Sequence, residues 1–268
     1  MNIILILKGL WIGSTMTIPG VSGGTMAVVT GIYEELIKSI NGLRKEPRKY
    51  LPFLFKFAFS ALVGFVLFAG FVTYLLDNIY TGTYIRFLFA GIVIGGVPLL
   101  VRKSGIQKIS VSDIFFVCSG ALLVYLLTLL PSDMFSSGEG LQYVLMQFVG
   151  GFIVAVALIL PGISASHMLY ILGLYGTVLQ KVYNFQWLSL IPLITGIFAG
   201  MFITANILEK LLTKCPGKVY MTIIGFVAAS IISLLPHDKI NSPITCLIVF
   251  VAGFFIMYVL GRRYNLNA

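Results

Sequence analysis

Two short stretches of this chain gather residues that can hold an anion. The first reads Ile18-Pro19-Gly20-Val21-Ser22-Gly23-Gly24-Thr25-Met26 and runs on to Gly31-Ile32-Tyr33. The second reads Leu160-Pro161-Gly162-Ile163-Ser164-Ala165-Ser166-His167-Met168 and runs on to Gly173-Leu174-Tyr175. Proline breaks a helix, and glycine lets a ligand approach the backbone closely. A helix restarting after the break presents unpaired N–H groups and the positive end of its dipole. Ser22, Thr25, Ser164 and Ser166 add hydroxyls. Such a tip suits a phosphate or a carboxylate. The plainer alternative is that P-G-x-S caps a helix and small residues ease helix packing. Paired occurrence favours the binding role, and makes Gly20, Ser22, Gly23, Gly24, Thr25, Gly162, Ser164, Ser166 and His167 candidate binding residues.

Other polar residues have weaker claims. His167 stands where the first stretch has Thr25, and its ordinary pKa of about 6.5 suits proton exchange or a charged contact with phosphate. A neutral, hydrogen-bonded histidine is the competing reading. Arg86 could draw an anionic headgroup from outside, or simply snorkel to the interface. Glu34 and Glu35 could carry a coupling proton with His167, or form a solvated interfacial pair. Cys118, Cys215 and Cys246 are odd in number and widely spaced, so neither a disulfide framework nor a metal site is expected. No cofactor is expected.

The two stretches are also copies. Pro, Gly, Ser, Met, Gly and Tyr recur at one offset of 142 positions (161 minus 19). Farther on the match weakens to apolar runs with Gly91 near Gly225. This is an internal repeat.

The surrounding sequence must fold in lipid. Of 268 residues, 59% are hydrophobic and 10% charged, against about 25% charged in soluble domains. The continuous apolar runs suit helices rather than barrel strands. The net charge of +9 comes from basic residues lying between apolar runs, which points to membrane topology rather than nucleic-acid binding. Residues 1–18 carry no small-residue cleavage site and read as mature structure.

The apolar runs fall at 3–18 and 21–40, 52–76, 84–101, 111–130, then 141–160 and 163–182, 187–208, 219–235 and 243–260. Each half is thus a broken hairpin followed by three crossings. A hairpin returns to its starting side and three crossings do not, so the second half enters from the opposite face. The expected fold is an all-α polytopic membrane protein, a single membrane domain over 1–268. It is an inverted-topology repeat with repeat one at 1–131 and repeat two at 141–263. This parity leaves Arg86, Lys181 and Lys239 on one side and the other 15 of the 18 basic residues on the other. The basic side is the cytoplasm, with both termini inside. Lys8 and Glu34 lie 11 and 10 residues from Pro19 and Gly24, roughly 15–16 Å, or half a bilayer core. Tips at mid-membrane would leave these charges at the interface, so the hairpins are expected to be re-entrant.

At these residues the chain resembles the bacterial undecaprenyl (polyprenyl) phosphate translocase family. The resemblance lies in I-P-G-V-S-G-G-T…G-I-Y-E at 18–34 and L-P-G-I-S…G-L-Y at 160–175, and extends over nearly the whole chain in segment order. It implies a transporter in the bacterial cytoplasmic membrane that moves undecaprenyl phosphate from the outer to the inner leaflet. By the same carry-over, Ser22, Gly23, Gly24, Thr25 and Ser164 would hold the phosphate. A lipid phosphate carries about −1.5 to −2 charges near pH 7, and moving it inward opposes the membrane potential. Coupling to protons or Na⁺ is therefore expected.

Two rivals are weighed. Polyprenyl-diphosphate phosphatases resemble inverted-repeat bundles with P-G-x-S tips, but carry Arg directly after the Ser. Gly23 and Ala165 stand there in this chain, and phosphoryl transfer needs charge clamps. A small-anion transporter would use the same tips.

Overall fold

The computed structural model describes residues 2–18, 21–77, 79–129, 135, 140–235 and 242–264. The described residues fold as helices. Helix α1 (Asn2–Thr15) leads to a short α2 (Gly23–Val29) and α3 (Tyr33–Gly42). Three long helices follow, α4 (Pro47–Asp77), α5 (Ile79–Lys103) and α6 (Val111–Thr128). The pattern then recurs as α7 (Gly140–Ile159), α8 (Ala165–Ile171) and α9 (Leu174–Tyr183). A 3₁₀ turn at Trp187–Leu190 runs into α10 (Ile191–Lys214), then α11 (Pro216–Leu234) and α12 (Pro243–Tyr264).

Among the described residues, five helices are long and apolar enough to span a bilayer: α4, α5, α7, α10 with its 3₁₀ turn, and α12. Helices α1, α6 and α11 are shorter but apolar. The chain is a multi-pass, all-helical membrane protein. The outward faces of α4 and α12 expose Phe55, Phe59, Phe71, Leu247 and Phe255. Water would not tolerate so continuous an apolar surface, whereas lipid does.

One sequence expectation needs correction. The runs 21–40 and 163–182 are not single helices. Each breaks again, after 7 residues, into a second helix of 10 residues. The breaks fall at Gly31 (φ 73°) and Gly173 (φ 69°), both in the left-handed region that other residues enter only at a cost. Thr30 closes α2 by donating its hydroxyl to the Met26 carbonyl at 2.7 Å. Each hairpin therefore has three pieces. The apolar pattern hid the second break because Ile32 and Leu174 keep both sides hydrophobic.

Helices pair through glycine. Gly13 and Gly64 let α1 lie against α4, with the Ala61 and Leu10 backbones where a Cβ would fall. Gly151, Gly196 and Gly200 do the same for α7 and α10. Gly91, Gly95 and Gly253 join α5 to α12, and Gly120 and Gly225 join α6 to α11. Close backbone approach is the means by which helices associate where lipid offers no hydrophobic drive. The main core forms around α2, α5 and α11, with Met26, Val28, Ala90, Ile223 and Val227 buried. A smaller one surrounds α8, with Met168, Leu172 and Leu174.

Candidate functional site

The two broken hairpins meet at their tips. The Thr25 hydroxyl accepts a hydrogen bond from the Gly162 N–H at 2.7 Å, and Thr25 is buried. A Cβ on Gly24 would lie 3.2 Å from the Pro161 Cα, so glycine permits the contact. The buried Tyr33 donates its hydroxyl to the Ile159 carbonyl at 2.9 Å, bracing the end of α7. Gly162 is left-handed (φ 83°) and packs on the Phe226 backbone.

The stems diverge toward different ends of α10. Lys181 of α9 donates to the Tyr143 hydroxyl of α7 at 2.6 Å and to the Ser189 carbonyl, at the start of α10, at 3.3 Å. Asn41 of α3 donates to Glu209 near the end of α10. Ser189 and Glu209 lie 20 residues apart (209 minus 189), about 30 Å of helix. Glu34 of α3 joins the second group: Lys103, ending α5, donates to it at 2.8 Å, and Tyr220 of α11 donates to it as well. Burial pushes the Glu34 carboxyl up, but the hydrogen bonds from Lys103 and Tyr220 and the Lys103 charge outweigh it. The net result lies below the ordinary glutamate value. Helix α3 is not among the membrane spans.

Beside the second tip lies a cavity of about 1080 Å³. Its polar lining is Gly162, Ser164 and Ser166 at the tip, Thr17 following α1, and the tyrosines Tyr125, Tyr170 and Tyr175. The Ser164 and Ser166 hydroxyls are 3.0 Å apart. The rest is mostly apolar: Leu122, Val124 and Leu127 of α6, Met168 and Ile171 of α8, and Ala228, Ala229 and Ile232 of α11. Such a volume is at the upper end of small-ligand sites. A polar end joined to an apolar wall fits one amphipathic molecule rather than a hydrated ion.

The expected site residues thus separate. Gly162, Ser164 and Ser166 line the cavity. Ser22 and Thr25 are buried, and Gly23 packs on the Met16 side chain, so these three do not line the cavity, although Met16, Thr17 and Ile18 before them do. Pro19, Gly20 and the His167 side chain lie outside the described residues. Arg86 is half-buried on α5, away from the cavity lining. Glu35 is exposed on α3 and is not part of the Glu34 cluster. Sequence reasoning missed the α6 and α11 walls. Their one signal was the small pair Ala228-Ala229 inside an otherwise bulky run.

Comparison with known proteins bears on what such a cavity holds. Residues 12–249 match the undecaprenyl phosphate translocase-like family. The chain belongs to this family. A Staphylococcus aureus protein named polyprenyl-phosphate transporter is 32% identical over 96% of this chain and 95% of its own length. A Vibrio cholerae protein of the same name is 29% identical over 87% of this chain and 77% of its own. These relatives are named as transporters, not as enzymes. No solved structure matches the chain.

Proposed function

We propose that this protein carries polyprenyl phosphate across the bacterial cytoplasmic membrane, from the outer to the inner leaflet. The observation that carries the reading is the cavity that joins the hydroxyl-bearing second tip to an apolar wall, in a chain of this family. The phosphate sits at Ser164, Ser166 and the start of α8, where hydroxyls and the helix end favour an anion. The first tip, with Gly20, Ser22, Gly23, Gly24 and Thr25, takes the same part when the cavity faces the other way. Arg86 and His167 are candidates for the headgroup on their sequence positions alone.

We further propose the inverted repeat, with re-entrant hairpins and halves at 1–131 and 141–263. Several features support it. The lengths of the two short helices in each hairpin recur, as do the left-handed Gly31 and Gly173 at the 142-residue offset. The pairing of α1 with α4 matches that of α7 with α10, and α5 with α12 matches α11 with α6. The stem of one hairpin sits at the start of α10 and the stem of the other near its end, about one bilayer core apart. The basic end, with Lys103 and Glu34, faces the cytoplasm along with both termini.

Inward movement of a phosphate monoester opposes a negative-inside potential by about 2.3 kcal/mol per charge per 100 mV. Protons or Na⁺ therefore drive it. Glu35 and His167 are the remaining candidate carriers, because Lys103 holds Glu34 ionised. The test is inward movement of labelled undecaprenyl phosphate in proteoliposomes. Ser164→Ala and Ser166→Ala together should slow it at least tenfold. Wild-type rates in that variant, or wild-type rates indifferent to pH and potential, would reject the site or the coupling respectively.

A further inference from the structure

The cavity is not sealed from the lipid-facing surface. Leu122 and Tyr125 of α6, Tyr170 of α8 and Ile232 of α11 all line it, and all are more than half exposed. They form a rim, not a wall. The small residues Ala121, Ala228 and Ala229 line it with them and leave space where bulkier side chains would fill it. The rim lies on the later halves of α6 and α11, whose starts adjoin: Gly217 packs on Ser104 and Ile106, and Lys218 lies over the Phe116 ring. The opening is thus at the far end of the bundle from Lys103 and Lys218.

We infer that the isoprenoid tail enters this cavity sideways over the Leu122–Tyr125–Tyr170–Ile232 rim, and that only its first units are enclosed. The inference rests on the transport reading and adds the tail's site and route. Three observations select this occupant. Along α6 and α11 the lining offers one polar side chain, Tyr125, so a second polar ligand finds little to bind there. Apart from Tyr125 the wall there is aliphatic, which suits a branched hydrocarbon that gains by leaving neither lipid nor protein for water. The open rim lets a tail much longer than the cavity stay in the leaflet while its headgroup enters. On the proposed orientation this leaflet is the outer one, where the carrier must be collected. The protein then reads the phosphate and the first isoprene units, and chain length beyond them has little effect.

A polyprenyl phosphate bearing a diazirine on its second isoprene unit tests this on the intact protein in liposomes. Adducts should fall in residues 121–127 and 228–232 and fade at least fivefold with excess undecaprenyl phosphate. Adducts confined to the outer faces of α4 and α12, or unaffected by competitor, overturn the inference. Ala229→Trp should lower transport at least tenfold, while Leu247→Trp on the exposed face of α12 stays within twofold. Where Ala229→Trp yields no monodisperse protein, the adduct map decides. Wild-type transport with adducts elsewhere defeats only the tail route. Absence of wild-type transport defeats the function beneath it as well.

Discussion

The Thr25 hydroxyl of the first tip accepts the Gly162 N–H of the second at 2.7 Å. This bond joins residues 137 positions apart in sequence and fixes how far the two tips can separate. It also satisfies a buried donor freed by the proline break. Thr25→Val keeps the shape and removes the acceptor. Leaving Gly162 unpaired costs about 1–3 kcal/mol. The expected outcome is a lower unfolding temperature in detergent, with Thr25→Ser close to wild type. A Thr25→Val protein as stable as wild type would mean that the bond carries no weight.

The hairpin elbows give a second prediction. Gly31 and Gly173 both hold left-handed backbone. An alanine there costs about 1–2 kcal/mol. Gly176, in the regular part of α9 with nothing within 4 Å of a built Cβ, is the matched control. Gly176→Ala should be neutral or gain up to about 1 kcal/mol, as alanine is the better helix former. Thermal melts of the three variants check the order.

The Glu34–Lys103 pair sets a pH dependence. The Glu34 carboxyl in the folded protein lies below its ordinary value of 4.5. A depressed carboxyl contributes stability that is fully present above its unfolded value and is lost as pH falls through the folded one. Wild-type melting temperature should therefore gain no Glu34-dependent change above about pH 5, and fall below it. Glu34→Gln should show a smaller fall on acidification. Because Glu34 is half exposed, the difference will be modest. An unchanged acid profile in Glu34→Gln would show that the pair contributes nothing.

How much of this was legible beforehand follows from what each residue type can reveal. The tips were readable, because Pro19-Gly20 and Pro161-Gly162 break apolar runs where lipid forbids an idle break. Segment order was readable for the same reason. The elbows were not, although Gly31 and Gly173 stood inside the repeated motif. One glycine in an apolar run is as often a packing residue, as Gly91 and Gly225 prove to be. The burial of Ser22, against the cavity-facing Ser164, was also hidden. Nothing in P-G-V-S against P-G-I-S says which serine is buried, since that depends on how the arms sit. The cavity walls on α6 and α11 were the least visible, because an aliphatic lining has the composition of any span. Lys103 and Tyr220 meeting Glu34 required the fold itself, their separations from it being 69 and 186 positions.

The opposed insertion of the hairpins can be tested without any assay of transport. Tyr183 and Phe185 are exposed beside the stem that touches the start of α10, and Lys45 is exposed beside the stem that touches its end. If the basic end is cytoplasmic, these positions lie on opposite sides of the membrane. The three native cysteines can be replaced by serine, two of them being at least partly accessible already. On that background, Tyr183→Cys should react with a membrane-impermeant maleimide in intact cells. Lys45→Cys should react only after the membrane is opened. These labelling outcomes need no assumption about substrate: they depend only on the roughly 30 Å of helix from Ser189, in the 3₁₀ turn before α10, to Glu209. Labelling of both cysteines from the same side would place the two stems together. It would also remove the basis for two tips that take turns at one headgroup.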